Sequence, residues 1–175
     1  LIEDLGINKE DIHVYFSGNE GFHVYVYNSQ FQNLESRERA DLADYIMFHG
    51  AIPEKFGMKK FNPDRSLFPE LEEKGWRGRV SKELFGSKSK KSKIITQIMA
   101  QGYSSFQNQL QEMSNTIGVK IDPNVTMDIH RIFRLPGSIN SKSGLAKIFC
   151  ENLEKFDPYT DACFIDDDPV EVSAN

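Results

Sequence analysis

The sequence lacks several things, and each shortage removes a class of function. No apolar run approaches the roughly 20 residues that cross a bilayer, so no membrane partner is expected. The opening "LIEDLGINKEDI" carries acids where a secretory leader carries a basic segment. There are only two cysteines, Cys150 and Cys163. Neither has a Cys or His at zinc-finger spacing, and His13, His49 and His130 form no zinc pattern, so this segment is not expected to bind zinc. Two unpaired cysteines read as reduced thiols of a cytoplasmic protein, or a nuclear one in a eukaryote. An excess of positive charge is missing too. The net charge is −5, so any contact with nucleic acid must come from local basic patches.

What is present describes a globular chain. Its 175 residues suit one domain, with 39% hydrophobic and 27% charged residues. Thirteen Phe and six Tyr supply core bulk. Residues 1 to 6 read as a helix tail closed by Gly6. Strands are expected at 12–18 and 22–27, the second with Phe22, Val24 and Val26 on one face and His23, Tyr25 and Tyr27 on the other. Ser36 is the expected cap of a helix to about 49. Pro53, Gly57, Pro63, Pro69 and Gly75 make 50–75 mostly loop, and "GWRGRVSKELFG" reads as a short helix. "SKSKKSK" at 87–93 reads as a basic connector, followed by one long helix over about 93–116. Short strands are expected at 119–122, ending on Asp122, and at 145–152.

Two stretches could carry chemistry. "FSGNEGFHVYV", 16 to 26, is strand, glycine turn and strand. Such a turn can present backbone N–H groups to an anion, with the Ser17 hydroxyl and His23 beside it. It can equally be a hairpin whose glycines only supply positive φ. The second stretch, "VKIDPNVTMDIHRIFRLPGSINSKSG", sets an acid at a strand end before Arg131, Arg134 and a polar loop reaching Lys142. Asp122 could ligate a hard cation and the basic groups could neutralise phosphate. It can equally be a turn before Pro123 with surface arginines.

Taken together and in order, the two stretches resemble the later motifs of the archaeal and eukaryotic DNA primase small (catalytic) subunit. "YFSGNEGFHVYV" is similar to that family's Ser-Gly-x-x-Gly-x-His segment. "DPNVTMDIHRIFRLPGSINSKSGL" is similar to its Asp, Arg…Arg-Leu-Pro and Ser-Leu-His-x-Lys-Thr-Gly-like run. The tail "FDPYTDACFIDDDPVEV" also looks like the family's end, so the resemblance spans about 1 to 172.

The resemblance implies an α/β (α+β) fold, a mixed, largely antiparallel sheet with flanking helices. It implies that Ser17, Gly18 and His23 grip the phosphates of an incoming nucleotide. Arg134 would approach the triphosphate, and Asn140 and Lys142 lie in the loop that closes on it. Asp122 would be a catalytic carboxylate and the third of three metal-binding aspartates. The implied activity is template-directed synthesis of short primers from nucleoside triphosphates by two-metal transfer with Mg²⁺ or Mn²⁺. Single-stranded DNA template, nucleoside triphosphates and a primase large subunit are the implied partners.

Three departures matter. No Asp-x-Asp precedes Ser17, where the family keeps its other two metal aspartates, and the family's zinc-binding element is not found. The chain is therefore expected to be an N-terminally truncated catalytic core, inactive alone. "DDD" at 166–168 lies at the wrong end and reads as a solvated turn. Asn140 replaces the usual histidine, and Glu20 stands where the family often has Arg or Lys. The alternative is a primase-derived module that binds nucleotide or nucleic acid without catalysis.

Overall fold

In the computed structural model, residues 1–164 are described. The acidic 166–168 run lies outside them. In chain order come α1 (Ile2–Leu5), β1 (Ile12–Phe16), β2 (Phe22–Val26), α2 (Ser29–Gln32) and α3 (Ser36–Met47). Then follow α4 (Gly75–Phe85), α5 (Lys88–Gln101), α6 (Tyr103–Ile117), α7 (Pro123–Met127), β3 (Ile148–Phe149) and α8 (Pro158–Asp161). Helices and a small antiparallel sheet make this an α+β fold. The chain divides into two compact units. One comprises Leu1–Gly6 and Leu34–His130, and the other Ile7–Asn33 and Arg131 onward.

The first unit is helical. Its α3 is not capped by Ser36 as the sequence suggests. Glu35 is the N-cap, in a capping box whose return bond runs from the Glu35 N–H to the Glu38 carboxylate at 2.8 Å. Two acidic side chains thus cover N–H groups at the positive end of the helix dipole. The expected long helix is two helices. Gly102, at φ 87° and ψ 174°, occupies backbone space that only glycine adopts readily, and it separates α5 from α6. Along α6, Phe106, Leu110 and Met113 recur one turn apart and are buried. They join Phe48, Phe56, Phe68, Val80, Phe85, Ile95 and Ile98 in one core. Each such side chain contributes about 1.5–3 kcal/mol by leaving water.

The basic run 87–93 is not a connector; its lysines form the first turns of α5. Positive charge there opposes the helix dipole. Acids of the loop before α4 offset it: Lys88 pairs with Glu72 at 2.7 Å and Lys91 with Glu70 at 2.6 Å. The expected strand at 119–122 is also absent. Residues 119–122 run as coil into α7, because Pro123 fixes the first helical φ and the Asp122 side chain accepts from the Asn124 N–H.

The second unit is the sheet, in order β2-β1-β3, all antiparallel. The register pairs Phe16 with Phe22, Tyr15 with His23, and Tyr15 with Phe149. Side chains alternate across the sheet, so Phe16 and Phe22 share one face. Phe156 covers both, with ring centroids 5.4 and 5.8 Å away. Phe16 also packs with Leu145, Cys150 and Ala162 in a small core. His13, Tyr15, His23 and Tyr25 line the opposite face. The expected strand at 145–152 shrinks to two residues. Its flanks pair as single bridges, Ile139 with Ala146 and Leu145 with Cys163.

Candidate functional site

The turn between β1 and β2 is closed by the Ser17 N–H donating to the Gly21 carbonyl at 2.8 Å. Ser17 Oγ accepts from the N–H groups of Asn19 and Gly21 at 3.3 and 3.2 Å. Those two N–H groups are therefore turned inward, so the turn offers fewer backbone donors to an anion than its glycine spacing suggests. The charge that could meet an anion comes from side chains instead. Glu20 is exposed at the turn's tip.

Gly18, at φ 84°, is buried where the turn meets the second motif. A Cβ there would lie 3.0 Å from the Leu145 carbonyl oxygen and 3.3 Å from the Lys147 nitrogen. Ser143 Oγ donates to the Gly18 carbonyl, and Arg134 Nη1 donates to the Ser17 carbonyl at 3.3 Å. The later part of the second stretch, from Arg131 on, thus meets the glycine turn within the second unit.

The second motif is shaped by its own hydrogen bonds. Asn140 is buried, and its Oδ1 accepts from the Lys142 N–H at 2.9 Å. Its backbone N–H donates to Leu145 at 2.8 Å and its carbonyl accepts from Gly144 at 2.8 Å. Asn140 therefore shapes the 140–145 turn with its side chain, a task that short amides perform well. Lys142 is exposed on that turn.

His23 stands out electrostatically. Its Nδ1 is buried with no hydrogen-bond partner among the described residues. Burial holds its pKa below the ordinary 6.5, and the nearby charges of Lys147, Arg131 and Arg134 push it the same way. The imidazole is thus held neutral beside three cationic side chains. Neutral, it can accept at one nitrogen and donate from the other.

Ser17, Gly18, His23, Arg134, Asn140 and Lys142 all fall in the second unit, while Asp122 falls in the first. Asp122 is exposed at the N-terminus of α7. Among the described residues no group of three or more His, Cys, Asp or Glu side chains is placed to hold a metal ion. The described residues therefore do not by themselves fit a two-metal centre, and no catalytic step through one follows from them.

The aromatic and basic side chains of α4 are engaged within the fold. Trp76 donates to the Tyr45 carbonyl at 2.6 Å and lies 4.6 Å from the Phe48 ring. Arg77 pairs with Glu73, and Arg79 with Asp4, each at 2.5 Å.

One residue escaped the sequence reading. Lys147 is fully buried, and its Nζ donates to Tyr25 Oη at 2.6 Å and to the Arg134 carbonyl at 2.9 Å. The signal was available. In "LAKIF" the alternation sets Lys147 on the side of Phe149, which pairs with Tyr15 on the aromatic face.

Comparison with known proteins decides the family. The family model described as DNA primase small subunit matches residues 1–151. The chain belongs to the DNA primase small subunit family. It is 68% identical over all 175 residues to the DNA primase small subunit PriS of Nitrosopumilus maritimus, covering 47% of that protein. It is 54% identical, with the same coverage, to PriS of Cenarchaeum symbiosum. PriS of Archaeoglobus fulgidus is 30% identical over 187 aligned residues, which take in 98% of this chain and 50% of the relative. The chain thus spans about half the length of the curated relatives it matches. Across the primase family segment described here, no helix is long and apolar enough to cross a membrane.

Proposed function

We propose that this chain forms the triphosphate-gripping part of a primase small subunit. The parent activity is template-directed synthesis of short primers from nucleoside triphosphates on single-stranded DNA, in company with a large subunit. The observation that carries this reading is the buried, unpartnered Nδ1 of His23 beside Lys147, Arg131 and Arg134. A cluster of cations with an orphaned nitrogen suits a polyanion that brings both charge and hydrogen-bonding oxygens. In this reading Ser17 donates its hydroxyl proton to a phosphate oxygen while its lone pairs hold the turn. His23 bonds a second oxygen, Arg134 and Lys142 balance the remaining charge, and Gly18 and Asn140 shape the two loops that carry them. Asp122 contributes one carboxylate toward Mg²⁺ or Mn²⁺, and catalysis needs carboxylates in addition to it.

Nucleoside triphosphate titrated into the 175-residue chain by calorimetry tests the reading. Ser17→Ala and His23→Ala should each weaken binding about five- to twentyfold, the scale of one charge-assisted hydrogen bond. Bound triphosphate should raise the His23 pKa, because a nearby anion favours the imidazolium. Unchanged affinity in both variants would refute the assignment. Primer synthesis by the 175-residue chain alone would refute the need for further carboxylates.

A further inference from the structure

An ammonium removed from water is costly unless each donor is satisfied, and methionine would fill the same volume without that cost. Lys147 is 0% exposed. Its Nζ meets a phenol oxygen and a backbone carbonyl, and it lies 4.8, 5.7 and 6.0 Å from the ring centroids of Tyr25, Tyr15 and Phe133. Its contacts are thus neutral oxygens and ring faces, which stabilise a cation but do not cancel its charge.

The same residue pins the following part of the second motif through its main chain. The Gly137 N–H donates to the Lys147 carbonyl at 2.7 Å, and the Lys147 N–H donates to the Ser138 carbonyl at 3.0 Å. Side chain and backbone together therefore hold residues 134, 137 and 138. Arg134 in turn donates to the Ser17 carbonyl. A continuous path runs from Tyr25 on β2, through the Lys147 ammonium, to Arg134 and back to the glycine turn.

We propose that Lys147 is a positioning residue: its buried ammonium fixes Arg134 against the Ser17–Gly18 turn so that both meet an anionic triphosphate. This rests on the triphosphate reading above. A methionine could fill the space but could not direct the Arg134 carbonyl. The charge has a second effect. The groups facing His23 are Lys147, Arg131 and Arg134, with the rings of Tyr25 and Phe133 at 6.4 and 5.9 Å. Removing one of those charges leaves the ring environment in place and makes protonation of His23 easier.

The experiment uses the 175-residue chain, inorganic tripolyphosphate as the probe, calorimetry for affinity and NMR for the His23 titration. Lys147→Met should stay folded and bind tripolyphosphate about tenfold more weakly. Its His23 pKa should move upward. In an Arg134→Ala background, the same substitution should cost less than about threefold, because the group it positions is gone. Wild-type affinity in a folded Lys147→Met overturns the proposal and leaves the triphosphate reading standing. A full tenfold loss that persists without Arg134 also overturns it, because the ammonium then acts directly. Absence of binding by the unsubstituted chain overturns the triphosphate reading and the proposal with it. Should Lys147→Met fail to fold, Tyr25→Phe removes one acceptor of the ammonium and keeps the ring. An affinity two- to fivefold lower supports the proposal, and an unchanged one overturns it.

Discussion

Replacing Gly18 with alanine should do far more damage than replacing Gly21, although both glycines belong to one turn. Gly18 sits at φ 84°, where an L-residue costs roughly 1–2 kcal/mol. Its new Cβ would also meet the Leu145 carbonyl oxygen at 3.0 Å and the Lys147 nitrogen at 3.3 Å. Those atoms are backbone, so relief requires the turn to lift from the second motif, at a further cost of about 1 kcal/mol. The sum is about 2–3 kcal/mol. At Gly21 a Cβ meets nothing within 4 Å, and φ is not positive. Alanine there should change stability by less than about 0.5 kcal/mol. Native-state amide exchange reads the difference locally. The Cys150 N–H, bonded to the Val14 carbonyl at 2.9 Å, reports on the sheet. Its exchange should quicken roughly 30- to 150-fold in Gly18→Ala and less than about threefold in Gly21→Ala. Equal effects at both positions would refute the close approach of turn and second motif.

Gly102→Ala should destabilise the helical unit by about 1–3 kcal/mol in denaturant unfolding, because its φ and ψ are closed to a side chain. Acid should weaken the same unit through Asp4. The Arg79 guanidinium holds the Asp4 carboxyl below its ordinary 3.8, against a smaller opposing effect of burial. A depressed folded pKa means the stabilisation is complete above about 3.8 and drains as pH falls through the folded value. Asp4→Asn should flatten that part of the stability–pH curve, and a curve unchanged below pH 4 would refute the linkage.

The hairpin was legible in the sequence because alternating β-branched and aromatic residues flank a glycine turn. Helix α6 was legible because Phe106, Leu110 and Met113 repeat at helical spacing. Gly102 was misread because a single glycine is tolerated inside helices, and only its conformation reveals a break. Ser36 suggests a cap because Ser is among the preferred N-cap residues and Glu is not, yet the reciprocal pair Glu35–Glu38 satisfies two N–H groups at once. The strand expected at 119–122 failed because Pro123 favours a helix start, and Asp122 supplies its cap. The meeting of the glycine turn with Arg134 and Ser143 was legible only as a pairing of two motifs, because nothing local in either stretch names its partner. The turn's inward N–H groups were not legible, because Ser17 can equally hold its own backbone or face a ligand. The burial of Lys147 is not legible from residue type, because a lone lysine in an apolar run usually reaches solvent.

The second unit is stitched from segments far apart in the chain. Beyond Phe22 in its own hairpin, Phe16 is covered by Leu145, Cys150, Phe156 and Ala162. At ribosomal speeds of about 5–20 residues per second, the β1–β2 hairpin emerges roughly 6–25 seconds before those partners exist. During that interval a two-stranded ribbon, marginal by itself, carries bare aromatic rings and unpaired edges. Contacts of such long sequence separation also close slowly once the chain is complete. The helical core has no such wait among α4, α5 and α6, which follow one another directly. Nascent chains halted after α6 should therefore hold a folded helical core beside a sticky, protease-sensitive hairpin, which makes the union of the two motifs the late event in this protein's biogenesis.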